Sequence, residues 1–203
     1  NGDPIVLYDR RADRWMISQF ALATQDNHQC IAISQTDDPT GAYYLYDFPY
    51  GELMNDYPHF GIFGDGYYMG VNQFDEANNF AWAGGGMVAY ERDKMLVGDA
   101  GASQMNMYFP SMSLFFNSLA PAYAEGPNAP DADEDSWAFA VQDDSWFGVS
   151  SDHINICKVH VDWDTPANSN VVIHQDLATS AFNSVFTGSW DDITQPGTSQ
   201  KLD

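Results

Sequence analysis

The stretch RWMISQF, residues 14–20, is answered later in the chain by YYMGVNQF at 67–74. Each has an aromatic followed by Met at its second and third positions and closes on Gln-Phe, with the short, β-branched and aromatic-rich character of a strand. A β-sandwich would supply alternating strands, but it gives no reason for one strand to recur. Recurrence of one strand inside successive groups of strands is the signature of β-propeller blades.

Working outward, RWMISQF sits among PIVLYD (4–9), QCIAISQT (29–36) and AYYLYDF (42–48), with turn-forming RRAD, QDNH and DDPTG between them. YYMGVNQF sits among PHFGIF (58–63), GGMVAYER (85–92) and QMNMYF (104–109). A third group contains SWAFAVQ (136–142), SWFGVSS (145–151), HINICKVHVDW (153–163), VVIHQ (171–175) and AFNSVF (181–186). Helical periodicity is almost absent; MSLFFNSLAPAYA (112–124), which runs into Pro121, reads as one short helix or a buried loop. The expectation is an all-β chain, one β-propeller region over residues 1–203 of four-stranded antiparallel blades at 3–48, 57–109 and 136–186. Propellers close with about four to eight blades. An incomplete ring of three to four blades is therefore expected to belong to a longer propeller or to be completed by another chain.

Composition narrows the partners. The net charge is -22, from 24 Asp and 5 Glu against seven Lys and Arg, so nucleic acid and anionic membranes are repelled over most of the surface. Asp favours turns and cation-binding loops where Glu favours helices, which agrees with a loop-rich β protein. No apolar run approaches the ~18 residues that cross a bilayer as a helix, so membrane insertion is not expected. Apolar residues make up 44% and aromatics 15%, a globular rather than a disordered composition.

The segments DPIVLYDRRADRWMISQFA, CIAISQTDDPTGAYYLYDF, NDYPHFGIFGDGYYMGVNQF, YERDKMLVG, HVDWDTPANS and QPGTSQKLD together resemble a family of large secreted bacterial proteins of propeller-like sequence. The resemblance covers most of the chain outside 101–135 and implies a propeller fold and an extracellular or cell-surface location. It also implies further strands after a QPGTSQKLD-like segment. It carries over no activity and no catalytic residue. Cys157 stands where an aromatic is usual in that family, which leaves any family disulfide scheme without support here.

Candidate chemistry is sparse. Asp3-Pro4 opens a strand as in five-bladed glycosidases, where an Asp on an inner strand is the base; Asp56 is a supporting carboxylate and Glu52, Glu76 and Glu91 are candidate acids. The competing reading of Asp-Pro is an ordinary turn starter. QDDSWFG (142–148) and DEDSWAF (133–139) echo sialidase Asp boxes without the full motif, and read as hairpin turns with a Trp beneath. Asp131, Asp133 and Asp135 alternate as calcium loops do, although Ser136 stands where Gly is wanted and Gln142 where a bidentate Glu is wanted. The alternative is a solvated acidic loop. In KVHVDWD (158–164), His160 and Asp162 share one strand face, a spacing that suits a surface pair better than a metal site.

Cys30 and Cys157 are the two cysteines, either one disulfide between neighbouring strands or two buried thiols. Arg10, Arg11 and Arg14 cluster in the first turn, where Asp9 and Asp13 are close enough to neutralise them locally; the alternative is an anion site. The many tyrosines between 43 and 68, with Trp82, offer sugar-stacking platforms beyond those needed for the core. The resulting expectation is a secreted, non-catalytic binding or structural module with a glycan or protein ligand and calcium as its one candidate cofactor. The alternatives are a propeller glycoside hydrolase using paired carboxylates and a subunit of an extracellular filament or complex.

Overall fold

A computed structural model describes residues 2–22, 26–108, 119–126, 128, 130–131, 134–146, 148–184 and 193–202. The chain is all-β and built from three four-stranded antiparallel sheets, each strand lying beside the next in sequence. The first sheet comprises β1 (Gly2–Asp9), β2 (Arg14–Ala21), β3 (Asn27–Ser34) and β4 (Tyr43–Gly51). The second comprises β5 (Leu53–Ile62), β6 (Gly66–Asp75), β7 (Ala81–Glu91) and β8 (Gln104–Tyr108), with the short helix α1 (Arg92–Leu96) between its last two strands. The third comprises β9 (Ala120–Pro121), β10 (Ser136–Gln142), β11 (His153–His160) and β12 (Asn170–Ala178). A two-stranded hairpin, β13 (Ile193–Thr194) and β14 (Lys201–Leu202), completes the described strands. Among the described residues no helix is long and apolar enough to cross a membrane.

The sheets stack face to face with the second in the middle. Met16, Ile31, Ile33 and Phe48 of the first sheet pack against Tyr67, Met69, Val88 and Tyr90 of the second. Tyr68, Met87, Ala89 and Met105, pointing the other way, pack against Ala138, Ala140, Cys157 and Val159 of the third. Successive side chains of a strand point to opposite faces, so a strand covered on both sides is buried at every position. That is why β6 reads as the run YYMGVNQ, buried from Tyr67 to Gln73, whereas β2 alternates buried and exposed residues from Met16 to Phe20.

Close approach of the middle and third sheets depends on two glycines. A Cβ on Gly70 would lie 1.7 Å from the Leu119 carbonyl oxygen, and one on Gly61 would lie 2.3 Å from that of Ala122. Glycine at both positions lets the chain around β9 run directly across β5 and β6. Where the first and second sheets meet, a buried polar chain replaces hydrocarbon: Asn55 Nδ2 donates to Gln29 Oε1 at 2.5 Å and Gln29 Nε2 donates to Ser18 Oγ.

Three sequence expectations are corrected. Asp143 and Asp152 bind backbone N–H groups in and beyond the turn after β10: Asp143 accepts from Ser145 and Ser184, Asp152 from Asp144 and Phe182. The described part of 145–151 is therefore turn and loop rather than strand, and 181–184 joins no sheet; 185–186 lie outside the described residues. The outermost position expected there is not needed, because the third sheet gains its extra strand at its beginning, from Ala120–Pro121. That strand falls inside the stretch read as a short helix or buried loop at 112–124, of which 112–118 lie outside the described residues.

The third correction concerns register. Leu7 faces Met16 across the first hairpin and Gly61 faces Tyr68 across the second, each two residues beyond a matching bulge. The structural counterpart of Met16 is thus Tyr68, and the Met-to-Met match read from RWMISQF and YYMGVNQF is one residue out. A one-residue slip reverses the face of every side chain. Met16 and Tyr68 both face the following sheet, whereas Met69 faces the preceding one.

Candidate functional site

β1 and β5, the first strands of the first two sheets, lie in contact, and each carries the same irregularity. In β1 the register shifts by one between Gly2 and Ile5; in β5 it shifts by one between Asp56 and His59. The inserted pairs are Asp3-Pro4 and Tyr57-Pro58. Asp3 has φ +50° and Tyr57 φ +52°, left-handed backbone that a β-strand residue rarely adopts. Pro lacks a ladder N–H and fits a bulge, so X-Pro at this point breaks the pairing in both strands in the same way.

The two bulges open a cleft of about 440 Å³, with Asp3, Ile5 and Leu7 on one side and Tyr57, His59 and Phe60 on the other. Tyr57 is half exposed, at 50%, and meets the His59 ring edge-on with centroids 4.5 Å apart. Burial pushes the Asp56 carboxyl up from its ordinary value, and the charge of Asp3 adds to that. Burial pushes the imidazole of His59 down, against the pull of Asp3. The cleft thus offers an apolar floor, one exposed carboxylate, one exposed aromatic ring and one half-buried imidazole.

Of the carboxylates singled out by sequence, Asp3 lines this cleft and Asp56 stands beside it on the β5 bulge. The three glutamates lie elsewhere. Glu52 is exposed in the turn before β5, Glu76 accepts from Asn27 Nδ2 at 3.2 Å, and Glu91 is held by Lys94 at 2.9 Å and by the Ser103 N–H. Tyr57 is one of the tyrosines between 43 and 68 read as sugar-stacking platforms, whereas nothing in the sequence points to His59. The readable signal was the X-Pro dipeptide, which the first strand of each four-stranded sheet carries as Asp3-Pro4, Tyr57-Pro58 and Ala120-Pro121.

The other candidates are placed as follows. Asp135 bonds Lys158 Nζ and His160 Nδ1, each at 2.6 Å, Asp131 is exposed, and Asp133 lies outside the described residues. His160 therefore pairs with Asp135 rather than with Asp162, whose carboxylate caps its own loop through the N–H groups of Asp164 and Thr165. Asp143, Asp144 and Asp152 bring carboxylate oxygens within 4.8 Å of one another. Asp143 accepts from two backbone N–H groups and the Ser184 hydroxyl, and Asp152 from two backbone N–H groups; the donors on Asp143, from Ser184 first, hold it well below the usual carboxylate range.

Cys30 and Cys157 are free thiols on the first and third sheets, so they are not bonded to each other. Burial pushes the Cys157 thiol up to about 11. In the first turn, Asp9 points inward to Arg92 at 2.7 Å instead of neutralising its neighbours. Arg14 donates to the carbonyls of Ala12 and Asp13, and Arg11 to that of Asn128. The guanidiniums of Arg11 and Arg14 thus serve loop carbonyls, which argues against an anion site at this turn.

Comparison with family models, with curated proteins and with solved structures finds no match to this chain.

Proposed function

We propose that the chain supplies blades of a secreted or cell-surface β-propeller that works as a non-catalytic binding module, with the cleft between β1 and β5 as its ligand site. The observation that carries this reading is the pair of matching bulges. Two neighbouring strands hold a non-glycine residue in left-handed backbone at the same position, and both residues, Asp3 and Tyr57, present their side chains at the same cleft. Strained backbone of this kind costs on the order of 1–3 kcal/mol and concentrates at functional sites.

The propeller arrangement is supported by the stacking. The first strands β1, β5 and β9 are neighbours in turn, as strands lining a central channel are. Both ends of the stack present apolar rows of the kind buried between sheets. Val6, Ile17, Ala32 and Leu45 lie opposite one another across the outer face of the first sheet, with Leu45 80% exposed. Val141, Ile154 and Leu177 form such a row on the outer face of the third. A further sheet on each face, from this polypeptide or another, accounts for these rows.

A propeller glycoside hydrolase is the second reading, favoured by the raised carboxyl of Asp56 beside Asp3. Such an enzyme needs a protonated acid and a base flanking one glycosidic bond. Among the described residues no glutamate lines the cleft, so Asp56 would have to be that acid. The two readings separate in one experiment: the protein is applied to arrays of immobilised glycans and extracellular proteins, and bound oligosaccharides are assayed for new reducing ends. Binding that Tyr57→Ala abolishes, without hydrolysis, is expected. Hydrolysis that Asp3→Asn and Asp56→Asn each abolish would replace the binding module with the enzyme.

A further inference from the structure

We infer that the cleft between β1 and β5 takes a neutral pyranose sugar, stacked on Tyr57 and held through adjacent hydroxyls by the carboxylate of Asp3. This rests on the reading of the cleft as the ligand site and names the ligand class.

An apolar lining with a few convergent polar groups, in a volume of about 440 Å³, is the make-up of a small-molecule site. The polar groups then decide the chemistry. A carboxylate only accepts, through two oxygens, and therefore matches a pair of neighbouring hydroxyl donors. Hydrogen bonds to an ionised acceptor are about twice as strong as neutral ones. The π face of tyrosine carries negative charge density and attracts the C–H groups on the apolar face of a pyranose ring. Tyr57 is exposed for such stacking, and its edge-on contact with His59 fixes the angle of the ring.

Charge excludes the common alternatives to a neutral sugar. Among the described residues no Lys or Arg lines the cleft, and burial pulls the His59 imidazole toward its neutral form, so a uronate or sulfate would meet Asp3, with Asp56 beside it, on a chain of net charge -22. Unpaired like charge of this kind is how a site rejects the wrong ligand. A basic peptide would be drawn to the surface generally, but the cleft supplies one carboxylate over a floor of Ile5, Leu7 and Phe60, which suits a ligand with one apolar face better than a chain of ammonium groups. Because the bulges are built into the paired strands, the site is formed before the ligand arrives and little ordering opposes binding.

The test uses titration calorimetry with cellopentaose, xylopentaose and mannopentaose as neutral probes, trigalacturonate and a heparin hexasaccharide as acidic probes, and pentalysine. At least one neutral probe is expected to bind, and the acidic probes at least about a hundredfold more weakly, as for a site that leaves their charge unpaired. Asp3→Asn is expected to weaken the neutral sugar by about tenfold or more, the ordinary effect of losing a charged hydrogen bond. Tyr57→Asn is expected to do the same with the melting temperature kept or raised, because Asn tolerates left-handed backbone. Both variants therefore separate lost binding from lost folding. Tighter binding of an acidic probe or of pentalysine, sensitive to Tyr57→Asn, overturns the sugar class and leaves the cleft as the site. Sugar binding indifferent to both substitutions, or no binding by any probe, overturns the site itself.

Discussion

Asp9 and Arg92 form a buried ion pair, and its consequences belong to single residues. Asp9 ends β1, is 1% exposed, and accepts from Arg92 Nε at 2.7 Å and from Tyr67 Oη at 3.1 Å. Burial alone would push the Asp9 carboxyl up; the guanidinium, together with the Ala12 N–H and the Tyr67 hydroxyl, overrides it and holds the carboxyl below its ordinary value. The same carboxylate also accepts from the N–H groups of Arg11 and Ala12, so it ties the first hairpin turn to α1 of the next sheet. Asp9→Asn leaves a nearly buried guanidinium with only the exposed Asp93 carboxylate, 3.4 Å away, and is expected to cost about 3 kcal/mol. A depressed folded-state value means that this stabilisation is complete above the unfolded-state value of about 3.9 and is lost as the pH falls through the lower folded value. Urea unfolding of both proteins at pH 7 and near pH 3 checks this: the gap between wild type and Asp9→Asn should be wide at pH 7 and narrow in acid. An equal gap at both pH values would show that the charge of Asp9 is not what stabilises the contact.

At the scale of elements, the join between the middle and third sheets is a contact of backbone on backbone. Gly70→Ala places a methyl group where the Leu119 carbonyl now lies, 1.7 Å away, and a main-chain atom cannot rotate aside as a side chain can. Overpacking in a closed core costs about 1–3 kcal/mol and more where backbone must shift. Gly70→Ala is therefore expected to lower the melting temperature by several degrees, and Gly101→Ala, whose nearest neighbour is a side-chain carboxylate 3.2 Å away, to leave it nearly unchanged. Thermal melts of the two variants decide it. The same join explains what the sequence concealed. Strands of the first two sheets were legible because their aromatic and β-branched runs are bounded by turn residues, and seven of these strands stand where the pattern puts them within a few residues. β9 was not legible, since a strand of two residues carries no period and here lies within an apolar run that resembles a helix. The runs at 145–151 and 181–186 were misread for the opposite reason. Their composition suits strands, but Asp143 and Asp152 take up the nearby N–H groups of Ser145, Phe182 and Ser184 that a ladder would need. Of the site, Asp3 and Asp56 were readable as carboxylates near strand starts. Tyr57 was legible only as one of many stacking tyrosines and His59 not at all, because the bulge that turns Tyr57 outward becomes visible only when Tyr57-Pro58 is aligned with Asp3-Pro4.

For the whole molecule, the order of the stack predicts an order of stability. The middle sheet is buried on both faces, whereas the first and third each leave one face open, and β12 is exposed at most of its positions. Amide exchange reports local opening, which is cheapest where few apolar contacts are lost. Peptides covering 67–73 and 86–90 should retain protection longest, and those covering 170–178 should exchange first. Comparable protection in all three sheets would show that the stack opens as one unit. The cleft lies on the seam between the slowest sheet and one of the faster ones, joining β1 to β5. A ligand bound there holds the first sheet against the middle one, and it opposes the openings that separate the two strands. Saturating ligand should therefore slow exchange in β1 and around Tyr57 while leaving β12 unchanged. Slowing spread evenly over the three sheets would show instead that they open as one unit, since a ligand bound only to the folded state then raises every opening energy by the same amount.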